Sequence, residues 1–86
     1  MLTIIYAPGF IRRFKGLEKL LQEEVKEKIE LFREPSNHVN IKVHKLSGEL
    51  KGRFSFRVNY KVRIVFRYEG KSTVILLYLG SHDEVY

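Results

Sequence analysis

RFSFRVNYKVRIVFRY, residues 53–68, alternates apolar and polar side chains almost without a break. Phe54, Phe56, Val58, Tyr60, Val62, Ile64, Phe66 and Tyr68 hold the even positions. Arg53, Ser55, Arg57, Asn59, Lys61, Arg63 and Arg67 hold odd ones, and Val65 is the exception. A period of two is the signature of a β-strand with one buried and one wet face. The stretch is long for one strand, and Asn59 is its only turn-type residue, so it reads as two strands folded about Tyr60. A two-residue loop would invert the phase of the alternation, whereas a three-residue loop preserves it. The unbroken phase therefore predicts a loop of Asn59, Tyr60 and Lys61.

In that register Val58 faces Val62, Arg57 faces Arg63 and Arg53 faces Arg67, with all four arginines on one face. Like charges directly opposed destabilise a sheet, so two such pairs are either a solvated face of splayed side chains or a floor that holds an anion between them.

Outward from the hairpin, the last strand is expected at Ser72–Leu79. Its core VILLYL is apolar on both faces, as in an interior strand, and Gly80 is expected to end it. Glu69-Gly70-Lys71 supplies the turn before it. Ile41–Leu46 reads as a short extended piece, and Gly48 and Gly52 flank the connection from it to the hairpin. Near the beginning, Leu2–Tyr6 is a β-rich run closed by Ala7, Pro8 and Gly9. Pro8–Lys15 has helical spacing in Phe10, Ile11 and Phe14, and Gly16 stops it. Leu17–Arg33 is an amphipathic helix with Leu17, Leu20, Leu21, Val25, Ile29 and Phe32 on its stripe, Glu24–Lys28 and Lys26–Glu30 pairs on its wet side, and Pro35 as the stop. Pro35–Asn40 is read as a loop.

The order β-α-α-β-β-β predicts an α+β fold in which two N-terminal helices cover one face of a small, mainly antiparallel sheet. Their apolar stripe packs on the even side of the hairpin, leaving Arg57 and Arg63 on the open face. The 86 residues form a single domain, with no internal repeat or linker.

The net charge of +6 is uneven: +3 over residues 1–16, −2 over 17–34 and +5 over 35–86. A positive sheet suits nucleic acid or an acidic protein partner. The absence of cysteine excludes a disulfide, a thiolate metal site and a cysteine nucleophile. The amino terminus MLTIIYAPGF lacks the form of a signal peptide and no segment approaches membrane-spanning length, so a cytoplasmic protein is expected.

His82 and Tyr86, just past the last strand, place an imidazole and a phenol near the basic face, where general acid-base help for phosphoryl chemistry is one reading and a surface histidine with an anchoring aromatic the other. His44, preceding the hairpin, is a second imidazole of interest, and His38 in a polar loop is not. Ser81-His82-Asp83 are chain neighbours that point apart, so they do not make a triad. Three unpaired histidines make no metal site, and Gly48 and Gly52 make no phosphate loop.

The run LKGRFSFRVNYKVRIVFRY, followed by an apolar strand and LGSHDEVY, resembles the RelE/ParE superfamily of toxins from type II toxin-antitoxin pairs. The resemblance covers nearly the whole chain and rests on Val62-Arg63-Ile64-Val65-Phe66 together with the terminal Gly-x-His-x-x-x-Tyr. It implies a ribosome-dependent messenger RNA endoribonuclease of the RelE, YoeB and YafQ type. Such an enzyme needs no metal or other cofactor, because the ribose 2′-hydroxyl attacks the adjacent phosphate and the 5′-oxygen leaves. By this resemblance Arg63 stabilises the pentavalent phosphate, Arg57 assists from the neighbouring strand, His82 is the general acid, His44 stands at the position of the proposed base, and Tyr86 stacks on a base. Lys51, Arg53, Lys61 and Arg67 are expected to contact RNA phosphates. RelE itself carries basic residues where this chain has Ser55 and His82, and Lys61 replaces an acid found in some relatives. The implied partners are the ribosome, its messenger RNA and a small acidic antitoxin that neutralises the basic face and adds a strand to a sheet edge. ParE members share the strand-and-tail pattern yet inhibit DNA gyrase, which is the alternative; a non-catalytic RNA-binding module is the third.

Overall fold

The computed structural model describes residues 1–48 and 52–81. Strand β1 (Thr3–Tyr6) leads through helix α1 (Pro8–Lys15) and helix α2 (Lys19–Arg33) to a single 3-10 turn (Pro35–Asn37). Four strands follow: β2 (His44–Lys45), β3 (Phe54–Arg57), β4 (Val62–Tyr68) and β5 (Thr73–Ser81). They form one five-stranded sheet in the order β1-β5-β4-β3-β2. All neighbours are antiparallel except β1 and β5, which run parallel; the helical hairpin carries the chain from β1 at one edge to β2 at the other, and β3 and β4 lead back to β5. This is the expected α+β architecture, with the short extended piece before the hairpin reduced to the two residues of β2.

The hairpin register is the expected one. Arg57 pairs with Arg63, Phe56 with Ile64 and Phe54 with Phe66. The Val58 N–H donates to the Val62 carbonyl at 2.9 Å, leaving Asn59, Tyr60 and Lys61 as the loop. Asn59 makes that loop by accepting from the backbone N–H groups of Lys61 and Val62 through Oδ1, at 2.9 and 2.8 Å. An asparagine side chain used in this way substitutes for a backbone turn bond.

The even-numbered face packs against the helices as expected. Phe32 is fully buried between Phe56, stacked at 4.3 Å between centroids, and Phe66, edge-on at 4.6 Å. Val25, Ile29, Phe10, Ile64, Leu76 and Leu79 complete the cluster. His38 belongs to it rather than to any site: its ring stacks on Phe32 at 4.9 Å and its Nε2 donates to the Phe32 carbonyl at 2.8 Å.

Four details depart from the sequence reading. Helix α2 begins at Lys19, because Glu18 is its N-cap and accepts from the Leu21 N–H at 3.0 Å. Leu20 lies off the buried stripe and is 77% exposed. The helix ion pairs join Lys26 to Glu23, Lys28 to Glu27 and Arg33 to Glu30, since Glu24 turns instead toward Asn59. Gly80 does not end β5 but pairs with Arg63 inside it, and the strand runs on to Ser81.

Strand β5 carries a bulge. Val65 pairs with Tyr78 but Phe66 with Leu76, so Leu77 is the extra residue. The bulge lets Val74, Leu76 and Leu79 all serve the main core despite their mixed parity. It also gathers Leu77 and Tyr78 with Leu46 and Val65 into a small second cluster. Val65, the exception in the alternation, is the apolar anchor of the other face.

Candidate phosphate-binding face

The open face is built from two adjacent rungs of the sheet. In one, His44 pairs with Ser55, Ser55 with Val65 and Val65 with Tyr78. In the next, Arg57 pairs with Arg63 and Arg63 with Gly80. Rungs of the same face are separated by two residues, about 6.5 Å along a strand, and diagonal neighbours lie about 7–8 Å apart. His44 and Arg57 are such diagonal neighbours, as are Tyr78 and Arg63. The glycine at position 80 leaves the side of Arg63 toward β5 without a facing side chain.

The two arginines differ sharply. Arg57 is exposed, as a solvated face requires. Arg63 was expected beside it in solvent, yet only 8% of it is accessible. Its Nη1 donates to the carbonyl of Asn59 at 2.6 Å and to that of Val62 at 3.3 Å, so the guanidinium is folded back against the loop. Both bonds use main-chain oxygens, which satisfy N–H groups without cancelling the charge. The sheet thus holds a nearly buried cation whose Nε and Nη2 edge has the fork geometry suited to a phosphate.

His44 is also oriented. Lys42 adopts a left-handed backbone, φ 60°, that brings its carbonyl within 3.0 Å of His44 Nδ1. A carbonyl can only accept, so Nδ1 carries the proton and Nε2 is the basic nitrogen of the neutral ring.

Arg13 and Tyr78 went unnoticed in the sequence. Arg13, on α1, donates from Nε to the Leu79 carbonyl at 3.0 Å, and its guanidinium carbon sits 5.1 Å from the centre of the Tyr78 ring. It reaches β5 where the shorter β1 has ended, and brings a further positive charge to the rung of His44. Helical spacing marked Arg13 only as a polar position, and Tyr78 was one of a run apolar on both faces, so neither carried a local signal.

The other expected phosphate contacts are dispersed. Arg67 lies toward the far end of the hairpin and forms an ion pair with Glu69 at 2.9 Å. Arg53 precedes β3, and its carbonyl accepts from the Leu46 N–H. Lys61 is in the loop, with Nζ 5.8 Å from the centre of the Tyr60 ring. Lys51, His82 and Tyr86 lie outside the described residues. Among the described residues no group of histidine and carboxylate side chains could hold a metal ion, and no helix is long and apolar enough to cross a membrane.

The family model for the HigB-like toxin, a RelE-like toxin of type II toxin-antitoxin systems, matches residues 12–82, and the chain belongs to that family. No curated protein matches its sequence significantly. Solved structures agree in fold. The toxin-antitoxin complex RelBE2 from Mycobacterium tuberculosis superposes with a TM-score of 0.75 at 25% identity, over 94% of this chain and 91% of that one. The YoeB-YefM complex from Staphylococcus aureus gives 0.73 at 21%, covering 95% and 98%. YafQ from E. coli gives 0.64 at 17%, covering 100% and 99%.

Proposed function

We propose that this toxin is a ribosome-dependent messenger RNA endoribonuclease of the cytoplasm that cleaves without a metal. The observation that carries the reading is Arg63, nearly buried, held by main-chain carbonyls and directly opposite Arg57. Two cations across one rung repel each other, and a phosphodiester seated between them relieves that repulsion most when it carries the extra charge of the pentavalent state. In this scheme the His44 Nε2 takes the proton of the 2′-hydroxyl, which attacks the adjacent phosphate. Arg63 and Arg57 stabilise the spread equatorial charge. The bond to the 5′-oxygen then breaks as His82 supplies a proton, giving a 2′,3′-cyclic phosphate and a 5′-hydroxyl. Tyr86 stacks on a flanking base, and Lys51, Arg53, Lys61 and Arg67 hold neighbouring phosphates.

RelBE2 and YoeB-YefM are named as toxin-antitoxin complexes, and a cognate antitoxin is accordingly proposed for this chain. Strand β1 is an edge of the sheet, and Tyr6 at its end lines an apolar groove with Phe10, Ile11 and Phe14. An acidic, extended segment that adds a strand there and continues over the basic face would block the phosphate rung.

The test is primer extension on a message incubated with translating ribosomes and the toxin, with Arg63→Ala in parallel. Cuts in register with codons and only in the wild-type lane are expected. An intact message together with altered plasmid supercoiling would replace this reading with gyrase inhibition.

A further inference from the structure

Arg63 does not hold itself in place. The carbonyl that accepts its shortest hydrogen bond belongs to Asn59, and every polar atom of the Asn59 side chain is engaged. Oδ1 accepts from the N–H groups of Lys61 and Val62, while Nδ2 donates to Glu24 Oε1 at 2.9 Å. Glu24 lies in the middle of α2, whose neighbouring Val25 is fully buried in the core. An unbroken path of hydrogen bonds therefore joins a rigid helix to the loop, and the loop to the guanidinium.

We propose that Glu24 and Asn59 form a positioning relay that anchors the β3–β4 loop to helix α2 and thereby holds the Arg63 guanidinium toward a phosphodiester on the open face. This rests on the reading of Arg63 as a phosphate ligand. Neither residue touches the substrate, and both act through Arg63.

The chemistry selects these two residue types. The position needs an acceptor for two loop N–H groups and, on the same side chain, a donor for a carboxylate, which asparagine offers. Aspartate keeps the acceptor but sets a second negative charge against Glu24. A residue that only shaped the turn would have no use for the bond to Glu24, which spans 35 positions of sequence. Arginine carries a long, flexible side chain, so without a fixed carbonyl its fork would be spread over many orientations.

The experiment compares Asn59→Ala, Glu24→Ala and Glu24→Gln with wild type and Arg63→Ala in two measurements. In the first, the single-turnover rate constant for message cleavage at saturating ribosomes is expected to fall about 10- to 100-fold for Asn59→Ala and about tenfold for Glu24→Ala, with little change in the half-saturating concentration. Glu24→Gln retains the acceptor and keeps most of the rate. The double variant Asn59→Ala/Arg63→Ala cleaves no more slowly than Arg63→Ala alone, because two residues that act through one guanidinium cannot lose it twice. In the second measurement, nitrogen-15 NMR of the Arg63 side chain shows separate Nη signals in wild type and Glu24→Gln, and averaged signals in the two alanine variants.

Cleavage at the wild-type rate by Glu24→Ala, or Arg63 signals that stay separate in it, overturns the relay, as does a double variant clearly slower than Arg63→Ala. Where Asn59→Ala does not fold, Glu24→Ala and Glu24→Gln carry the comparison. A wild-type protein that cuts no message, but whose Arg63 signals average in Glu24→Ala, refutes the cleavage reading and upholds the relay.

Discussion

The two faces of the sheet are built from alternate residues of the same strands, yet they obey different rules. On the covered face Phe56, Ile64 and Phe66 are completely buried against Phe32, and contact area sets the outcome. On the open face Arg57, Arg63 and His44 stand over a small apolar base of Val65, Leu46, Leu77 and Tyr78. One residue along β4 separates a side chain that holds the fold together from one proposed to hold a phosphate. Stability and activity should therefore separate almost cleanly by parity.

The strongest way to break that contrast is Phe32→Ala. Phe32 stacks on Phe56 and His38, meets Phe66 edge-on and has no exposure, so truncation leaves a cavity in the centre of the core. A loss of about 3–5 kcal/mol is expected by urea denaturation, enough to unfold much of a domain of this size. A loss below about 1 kcal/mol would mean that the covered face is not the source of stability. Arg63→Ala is the counterpart on the other face. Its cleavage rate should fall about 100- to 1,000-fold, as for removal of one transition-state donor. Its melting temperature should drop by no more than about 4–8 °C, the equivalent of roughly 1 kcal/mol in a domain this small. If the protein melted as readily as Phe32→Ala, Arg63 would be a structural residue.

How far the sequence disclosed this division depended on whether the information was local. Period two in β3 and β4, together with the preserved phase at Asn59, was sufficient for the hairpin, its loop and the Arg57–Arg63 pair, because strand pairing transmits parity directly. The bulge at Leu77 was hidden, since a run apolar on both faces has no phase to lose. The burial of Arg63 was hidden for another reason: it depends on a carbonyl four residues back whose direction is fixed by a helix 35 residues away. Arg13 reaches its place only because β1 stops short of the end of β5. Family resemblance supplied roles for Arg63 and His44, but geometry supplies what orients them.

Val65→Ala sharpens the contrast at intermediate scale. Val65 is buried on the open face between Ser55 and Tyr78, in a cluster far smaller than the main core. Removing its two methyl groups should cost about 1–2 kcal/mol, well short of the Phe32 variant. Because the rung of His44 and Tyr78 rests on it, the cleavage rate should fall several-fold as well. A variant that lost stability with full cleavage would show that this small cluster supports the sheet but not the site.

The smallest effect is predicted for Leu20, and the reason is geometric. At about 100° per residue, Leu21, Val25, Ile29 and Phe32 fall within an arc of roughly 80°, whereas Leu20 lies about 140° from its middle. The residue matched the helical spacing but not the stripe, and it stands 77% exposed among Glu23, Glu24 and Glu27. Leu20→Lys should therefore change stability by no more than about 0.5 kcal/mol and leave cleavage intact, with the new ammonium among carboxylates offsetting any lost contact. A loss above about 1 kcal/mol would mean that Leu20 packs in solution. Helix α2 would then be rotated relative to the sheet, and with it Glu24, so the same measurement checks the origin of the path that ends at Arg63.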